Sequence, residues 1–232
     1  MYFFFHLFTG IVLGFLFSEI FHDRRGLIPC TLGAILPDLI DKPLGHIILS
    51  SSIGYGRIFT HTLLLALLIV AAGIAYWRLR NDPSLVALGA GILSHQVLDL
   101  MWRQPVNWYY PLLGSFQGNN IEGFFWIEFL AEIHNPFEVI LGGMVLIMVL
   151  AVLFHSRISP ILKEKRSVIS LIMTFSALVF GSLAGILIGW GLGGHTLKQI
   201  GWGRPEELIL GGIVIAAASL LFWRWQNITG RL

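Results

Sequence analysis

The feature that most constrains this chain is a series of long apolar segments joined by short polar connections. A helix needs about 20 apolar residues to cross the hydrocarbon of a membrane. Six segments approach this length: Phe3–Phe21, 58–77, 85–101, 137–154, 168–190 and 208–223. Charged residues make up only 12% of the chain, about half the share in a soluble domain. We therefore predict an all-α fold, a polytopic helical bundle integral to a membrane.

A seventh apolar segment, 27–40, is shorter and contains Pro29, Pro37 and Asp38. It is predicted either to span the membrane as a short helix or to enter and leave by the same face.

With seven crossings, ten of the 15 Lys and Arg residues lie on one side and five on the other. The positive-inside rule then places the N-terminus outside the cell. We expect one membrane domain over 1–232, with site-bearing helices in 1–155 and two further helices in 167–224.

Ionisable side chains inside these apolar segments are the second informative feature, because each is costly in hydrocarbon. Asp38 and Asp41 are three residues apart, and His95 and Asp99 are four apart, so each pair shares one face of a helix. An imidazole and a carboxylate one turn apart can bind the same cation. The topology set by the basic residues brings seven such groups to the outer membrane face: His6, Asp38, Asp41, His61, His95, Asp99 and Glu138.

Four short motifs, in this order, resemble the YdjM-like family of membrane-bound hydrolases described as metal-dependent. They are His6 followed by Gly10, the run Gly33-Ala34-Ile35-Leu36-Pro37-Asp38-Leu39-Ile40-Asp41, the run Arg57-Ile58-Phe59-Thr60-His61-Thr62, and Ser94-His95 with Asp99. The resemblance covers roughly the first 150 residues. It implies a multi-pass hydrolase of a prokaryotic cytoplasmic (inner) membrane.

The order of the site residues is also distantly similar to that of the zinc-dependent phospholipase C and single-strand nuclease families. Their helical metal site uses an early histidine, an aspartate, a second histidine, and then a histidine and an aspartate four residues apart. The same order is followed here by His6, Asp38 or Asp41, His61, His95 and Asp99. Those families complete a three-metal cluster with a downstream histidine-rich set that has no equivalent motif here. The resemblance therefore implies one or two ions.

The donor set predicts a divalent metal held by nitrogen and oxygen. The single cysteine, Cys30, excludes a thiolate cluster, and imidazoles with carboxylates suit zinc, with manganese or iron as alternatives. His6 and Asp99 are predicted to help hold a second ion, and Glu138 either binds metal or supports a residue that does. The ligands of the main ion are predicted to be Asp38 or Asp41, His61, His95 and Asp99.

Catalytic roles are predicted for Asp38, Asp41 and Arg57. One of the two aspartates acts as a general base or bridges the metals, and the residues alone do not decide which. Arg57 is four residues before His61, which predicts a shared helical face. From there it contacts a phosphate oxygen through its forked donors, or alternatively anchors a lipid headgroup. The aromatic-rich connection 103–135 is either an interfacial loop or a lid over a lipid-facing site.

The predicted function is hydrolysis of a phosphoester in a membrane lipid or other amphiphile, by metal-activated water at the extracytoplasmic face. A metal or proton transporter is the main alternative, and a non-catalytic metal-binding membrane protein is the other. The net charge of +2 gives no reason to expect a nucleic-acid partner. The oligomeric state is left open.

Overall fold

The computed structural model describes residues 3–118, 123–154 and 166–229, and these residues form an all-α fold, which confirms the predicted fold class. The chain forms two compact units, Met1–Val139 and Ile140–Leu232. Every predicted site residue belongs to the first unit. A single membrane domain over 1–232 stays a prediction.

The helices of the first unit follow one another with short connections. They are α1 (Phe3–Phe21), α2 (Leu27–Pro43), α3 (Leu63–Arg80), α4 (Ser84–Leu98), α5 (Pro105–Trp108) and α6 (Phe124–Ile133). Helix α7 (Pro136–Leu153) begins in the first unit and continues into the second, which also contains α8 (Arg166–Leu192) and α9 (Pro205–Thr229). Short 3-10 or π turns occur at Arg24–Gly26, Leu44–Ile48, Met101–Arg103 and Lys198–Ile200.

In the described part of the chain, four helices are long and apolar enough to cross a membrane: Phe3–Phe21, Leu63–Arg80, Ser167–Leu192 and Pro205–Trp225. A fifth span arises if Trp126–Ile133 and Pro136–Leu150, bent by 75°, act together. Two of the seven predicted segments form helices of only 17 and 15 residues, α2 and α4. At 1.5 Å per residue these reach about 25 and 22 Å, short of the roughly 30 Å of hydrocarbon.

Glycines let the backbones of α2 and α4 approach closely. A Cβ atom on Gly33 of α2 would collide with the carbonyl group of Leu88, and one on Gly91 of α4 would collide with the carbonyl of Cys30. Gly10 of α1 lies against α2 in the same way. Small residues at helix contacts are the usual means of close packing in membranes. Because these backbones are close, side chains of α1, α2 and α4 can meet at one end of the bundle.

The segment between α2 and α3 is not helical where the sequence predicts it to be. The predicted apolar segment begins at residue 58, but α3 begins at Leu63, with Thr62 as its N-cap. The carboxylate of Asp41 accepts the backbone N–H groups of Ile58, Thr60 and His61 at 2.9–3.2 Å. These hydrogen bonds hold residues 58–61 as a loop against α2. The predicted shared helical face of Arg57 and His61 is therefore wrong.

In the second unit, α8 and α9 pack along their length as an antiparallel pair. The hydroxyl of Ser219 donates to the carbonyl of Ala177 at 2.7 Å. Further along the pair, a Cβ atom on Gly212 would press on Ile188. The two helices thus use the same small-residue packing as the first unit.

Candidate metal centre

Four buried side chains meet at one end of the α1–α4 bundle. Asp38 lies on α2, His61 in the loop before α3, His95 in the last turn of α4, and Asp99 at the C-cap of that helix. One ligand atom from each lies within 4.8 Å of all the others. The two histidine Nε2 atoms are 3.1 Å apart, and Asp38 Oδ1 is 3.7 Å from each of them. The cluster could hold a metal ion.

Both imidazoles are oriented so that Nε2 presents a lone pair to the cluster. His61 Nδ1 donates to the Asp41 carboxylate at 2.8 Å, and His95 Nδ1 donates to the carbonyl of Ala34 at 2.7 Å. These partners only accept, so each neutral ring carries its proton on Nδ1. The two Nε2 lone pairs then face each other at 3.1 Å. A cation between them removes this repulsion.

The remaining atoms of the cluster fit a divalent metal better than a proton. Asp38 Oδ1 is buried without a hydrogen-bond partner among the described residues. A proton shared by the two histidines would leave this oxygen without a partner, whereas a metal ion would bind it. Tetrahedral zinc with bonds of 2.0–2.1 Å holds its ligand atoms about 3.3–3.4 Å apart. The separations here are 3.1 Å, 3.7 Å and, from His61 Nε2 to Asp99 Oδ2, 3.9 Å. Two imidazoles and two carboxylates suit zinc, manganese or iron.

Asp41 lies beside the cluster and is fully buried. Besides the three backbone N–H groups of the loop, it accepts the Nδ1–H of His61 at 2.8 Å. Both of its oxygens take part in these hydrogen bonds. A carboxylate bonded to the far nitrogen of a ligating histidine fixes the orientation and tautomer of that ring. The contacts of Asp41 therefore favour an orienting role over binding metal or accepting a proton from water.

Asp99 is held from two other directions, by His6 and Arg57. His6 Nε2 lies 3.1 Å from Asp99 Oδ1, and Arg57 Nε donates to Asp99 Oδ2 at 2.7 Å. The His6 ring also stacks on His95, with 3.9 Å between the ring centroids. Asp99 raises the pKa of the Arg57 guanidinium, which therefore stays positively charged. His6 thus reaches the His95–Asp99 pair without being one of the four clustered ligands.

Glu138, at the start of α7, is also outside the four-ligand group. Its Oε2 atom accepts the backbone N–H of Phe4 at 2.7 Å, and Glu132 of α6 accepts that of Phe3 at 2.5 Å. The first N–H groups of a helix have no partner within the helix. Glu132 and Glu138 therefore hold the start of α1, the helix that carries His6. A metal-binding or ligand-supporting role for Glu138 stays a prediction.

Lys42 contacts the cluster and was not among the predicted site residues. Its Nζ atom lies 2.8 Å from Asp38 Oδ2, whereas the other oxygen, Oδ1, is the one near the two histidines. Lys42 follows Asp38 by four residues on α2, and this spacing was the signal available in the sequence.

Gln96 is a second residue that sequence analysis missed, although it follows His95 directly. Its side chain is fully buried, and its amide donates to the carbonyls of Thr60 and Thr62 at 3.1 and 3.0 Å, on either side of His61. Its own carbonyl accepts the indole N–H of Trp108 at 2.9 Å. Gln96 therefore fixes the position of the His61 backbone relative to α4.

Gln96→Glu is expected to weaken zinc binding about tenfold or more, because a carboxylate has no N–H groups to donate to the Thr60 and Thr62 carbonyls. Titration of the metal-free protein with zinc against a competing chelator measures the effect. Gln199→Glu, at an exposed position of the second unit, is the matched control and should leave zinc affinity unchanged. Equal affinity of Gln96→Glu and wild type would contradict the positioning role.

An open cleft of about 590 Å³ adjoins the loop that carries His61. Phe59 lies edge-on to Phe116, with ring centroids 5.2 Å apart, and Phe116 stacks on Tyr110 at 3.9 Å. Such a volume lies in the range of small-molecule sites. The remaining lining residues are Ser52, Ile53, Ser115, Gln117 and Gly118. The described part of the aromatic connection after α4 thus supplies one wall of the cleft.

The fold and the buried cluster define an all-α membrane protein with a candidate site for a metal ion. A family model described as YdjM inner membrane protein matches residues 1–179, which include all of the clustered side chains. The chain belongs to this family of inner membrane proteins, and the predicted resemblance is confirmed. No curated protein and no solved structure matches the chain.

Proposed function

We propose that this protein is a metal-dependent hydrolase that cleaves a phosphoester of a membrane lipid or another amphiphile. The observation that carries the proposal is the 3.1 Å approach of the Nε2 atoms of His61 and His95, with Asp38 Oδ1 3.7 Å from each. The ion would be held by Asp38, His61, His95 and Asp99. When bound, a divalent cation supplies Lewis-acid chemistry: it polarises a phosphoryl oxygen and makes water more acidic.

The two aspartates proposed as general bases differ in their hydrogen bonds. Both oxygens of Asp41 are bonded to N–H groups, whereas Asp38 Oδ1 has no hydrogen-bond partner among the described residues. We propose that Asp38 binds the metal or accepts a proton through Oδ1, and that Asp41 orients the ring of His61. His6 and Arg57 hold the Asp99 carboxylate in place.

The proposed substrate class rests on Arg57 and on the membrane location. The guanidinium stays charged beside Asp99, and its forked donors suit the oxygens of a phosphoryl group. Membership of an inner membrane protein family makes lipids the most abundant neighbouring phosphoesters. A site at the extracytoplasmic face follows if the chain makes the seven crossings that the sequence predicts, because the basic residues then lie mainly on the opposite side. The aromatic cleft beside Phe59 offers space for part of an amphiphile.

The experiment is a turnover assay of the purified protein in detergent, loaded with zinc and supplied with a panel of phospholipids. Release of phosphate or of a phosphorylated headgroup is expected, and it should stop when a chelator removes the metal. Asp99→Asn should lower the rate about 100-fold or more, because it removes one ligand charge and the partner of Arg57. Asp82→Asn is the matched control; Asp82 lies in the turn between α3 and α4, where its carboxylate accepts the backbone N–H of Ser84 at 2.9 Å.

Three results would count against the hydrolase. Purified protein without bound metal and without metal affinity would remove the chemical basis of the proposal. Metal flux into proteoliposomes without lipid turnover would instead support transport. Stoichiometric metal with neither flux nor turnover would indicate a structural metal site.

A further inference from the structure

Two cationic side chains border the candidate metal centre. Lys42 Nζ lies 2.8 Å from Asp38 Oδ2, and Arg57 Nε lies 2.7 Å from Asp99 Oδ2. The two carboxylates belong to the cluster whose ligand atoms lie within 4.8 Å of one another. Lys42 and Arg57 therefore border one and the same site, although one is on α2 and the other is in the loop before α3.

Lys42 and Arg57 are also more exposed than the ligands they pair with. Their side chains are 28% and 32% exposed, whereas those of Asp38 and Asp99 are 4% and 3% exposed. The side chains of His61 and His95 are fully buried. The exposed charge of this site is therefore positive, and the carboxylates lie beneath it.

The charge balance of the site depends on the metal. Three carboxylates lie in the cluster or against it (Asp38, Asp99 and, bonded to His61, Asp41), and two cations, Lys42 and Arg57, pair with Asp38 and Asp99. With the imidazoles neutral, these five groups carry a net charge of one negative. A divalent cation changes this to one positive. It also draws charge from Asp38 and Asp99, which weakens their pairing with Lys42 and Arg57. Cations left without a partner in a poorly hydrated site are costly, and an added anion offsets that cost.

We propose that Lys42 and Arg57 form an anion-binding pair that takes up a phosphoryl group when the metal centre is occupied. This inference rests on the metal-dependent function proposed above and adds a recognition site to it. Metal and anion then bind cooperatively, and each raises the affinity for the other by the same factor. The same phosphoryl chemistry occurs in free phosphate and in a phospholipid headgroup.

The test is calorimetric titration of the detergent-purified protein, with and without zinc, in two arms. One arm uses inorganic phosphate, and the other uses dihexanoyl phosphatidylglycerol with dihexanoylglycerol as its neutral counterpart. Zinc-loaded wild type should bind at least one of the two anions about tenfold or more tightly than the metal-free protein, and the neutral lipid should not show this dependence. Lys42→Met and Arg57→Met should each lower anion affinity about tenfold.

Two further variants keep the result interpretable. Lys42→Arg retains the charge and should retain anion binding, which separates charge from general damage to the site. Arg80→Met is the matched control, because Arg80 is exposed at the end of α3 away from His61, about 27 Å along the helix. Binding confined to one arm supports the pair and identifies the source of the phosphoryl group.

The pair would be overturned if zinc-loaded wild type binds neither anion, if it binds them equally without zinc, or if Lys42→Met and Arg57→Met bind as tightly as wild type. These failures differ from failure of the proposed function. Lipid turnover with unchanged anion binding by both variants removes the pair and leaves the hydrolase. Zinc-dependent anion binding without any lipid turnover removes the hydrolase and leaves the pair.

Discussion

His95→Ala is expected to abolish zinc binding, so that the metal content of the purified protein falls from about one ion per chain to near zero. The substitution removes one of the two facing Nε2 atoms and also the hydrogen bond that anchors the ring to the carbonyl of Ala34. Loss even of a residue that supports a ligand weakens metal sites 10–100-fold, so loss of the ligand itself should cost more. Elemental analysis and zinc titration measure the effect.

The matched control is His195→Ala, because His195 is exposed and lies in the second unit. This variant should retain the zinc content of wild type. Thermal unfolding of metal-free His95→Ala distinguishes loss of the ligand from loss of the fold. If folded His95→Ala takes up zinc as tightly as wild type, the cluster is not the metal centre.

Asp41→Asn is expected to damage both the fold and the metal site. Asp41 is fully buried and accepts N–H groups from Ile58, Thr60 and His61, together with the Nδ1–H of the His61 ring. An amide has one oxygen and would turn its own donors toward some of these groups. Leaving a buried donor unpaired costs about 1–3 kcal/mol, and zinc affinity should fall about 100-fold.

Denaturant unfolding of the metal-free protein and zinc titration measure these two effects. Asp38→Asn is the informative comparison, because Asp38 accepts no backbone N–H group from the described residues and pairs with Lys42. It should lose zinc affinity with a smaller effect on the free energy of unfolding. An Asp41→Asn protein that keeps its stability and its zinc affinity but loses turnover would instead identify Asp41 as the general base.

The fold class followed from the sequence because a chain with so few charges has no means of covering a water-facing surface. The number of crossings did not follow in the same way. Helices α2 and α4 are apolar but only 17 and 15 residues long, and hydropathy does not register the local contacts that set a helix end. In α3, for example, the helix begins only at Leu63, because Thr62 caps it there and Asp41 binds the backbone of the loop before it.

The four clustered residues of the candidate site were among those predicted from the sequence, whereas the contacts that join them were not predictable. Buried ionisable groups are rare enough in apolar segments that His6, Asp38, His61, His95 and Asp99 stood out, and antiparallel helices bring them to one end. Lys42 and Gln96 did not stand out. A lysine at a helix end and a glutamine inside one are common without any role, and only their partners distinguish them.

By itself, the sequence determined that this protein is an all-α membrane protein with a set of imidazoles and carboxylates suited to a divalent cation, because composition and residue type carry that chemistry. The tertiary structure alone decided how these groups are arranged. Close packing of α2 against α4 sets Asp38 beside His95, and the hydrogen bonds of Asp41 turn His61 toward both. Distances and tautomers depend on backbone positions far apart in the chain, and no local pattern of residues encodes them.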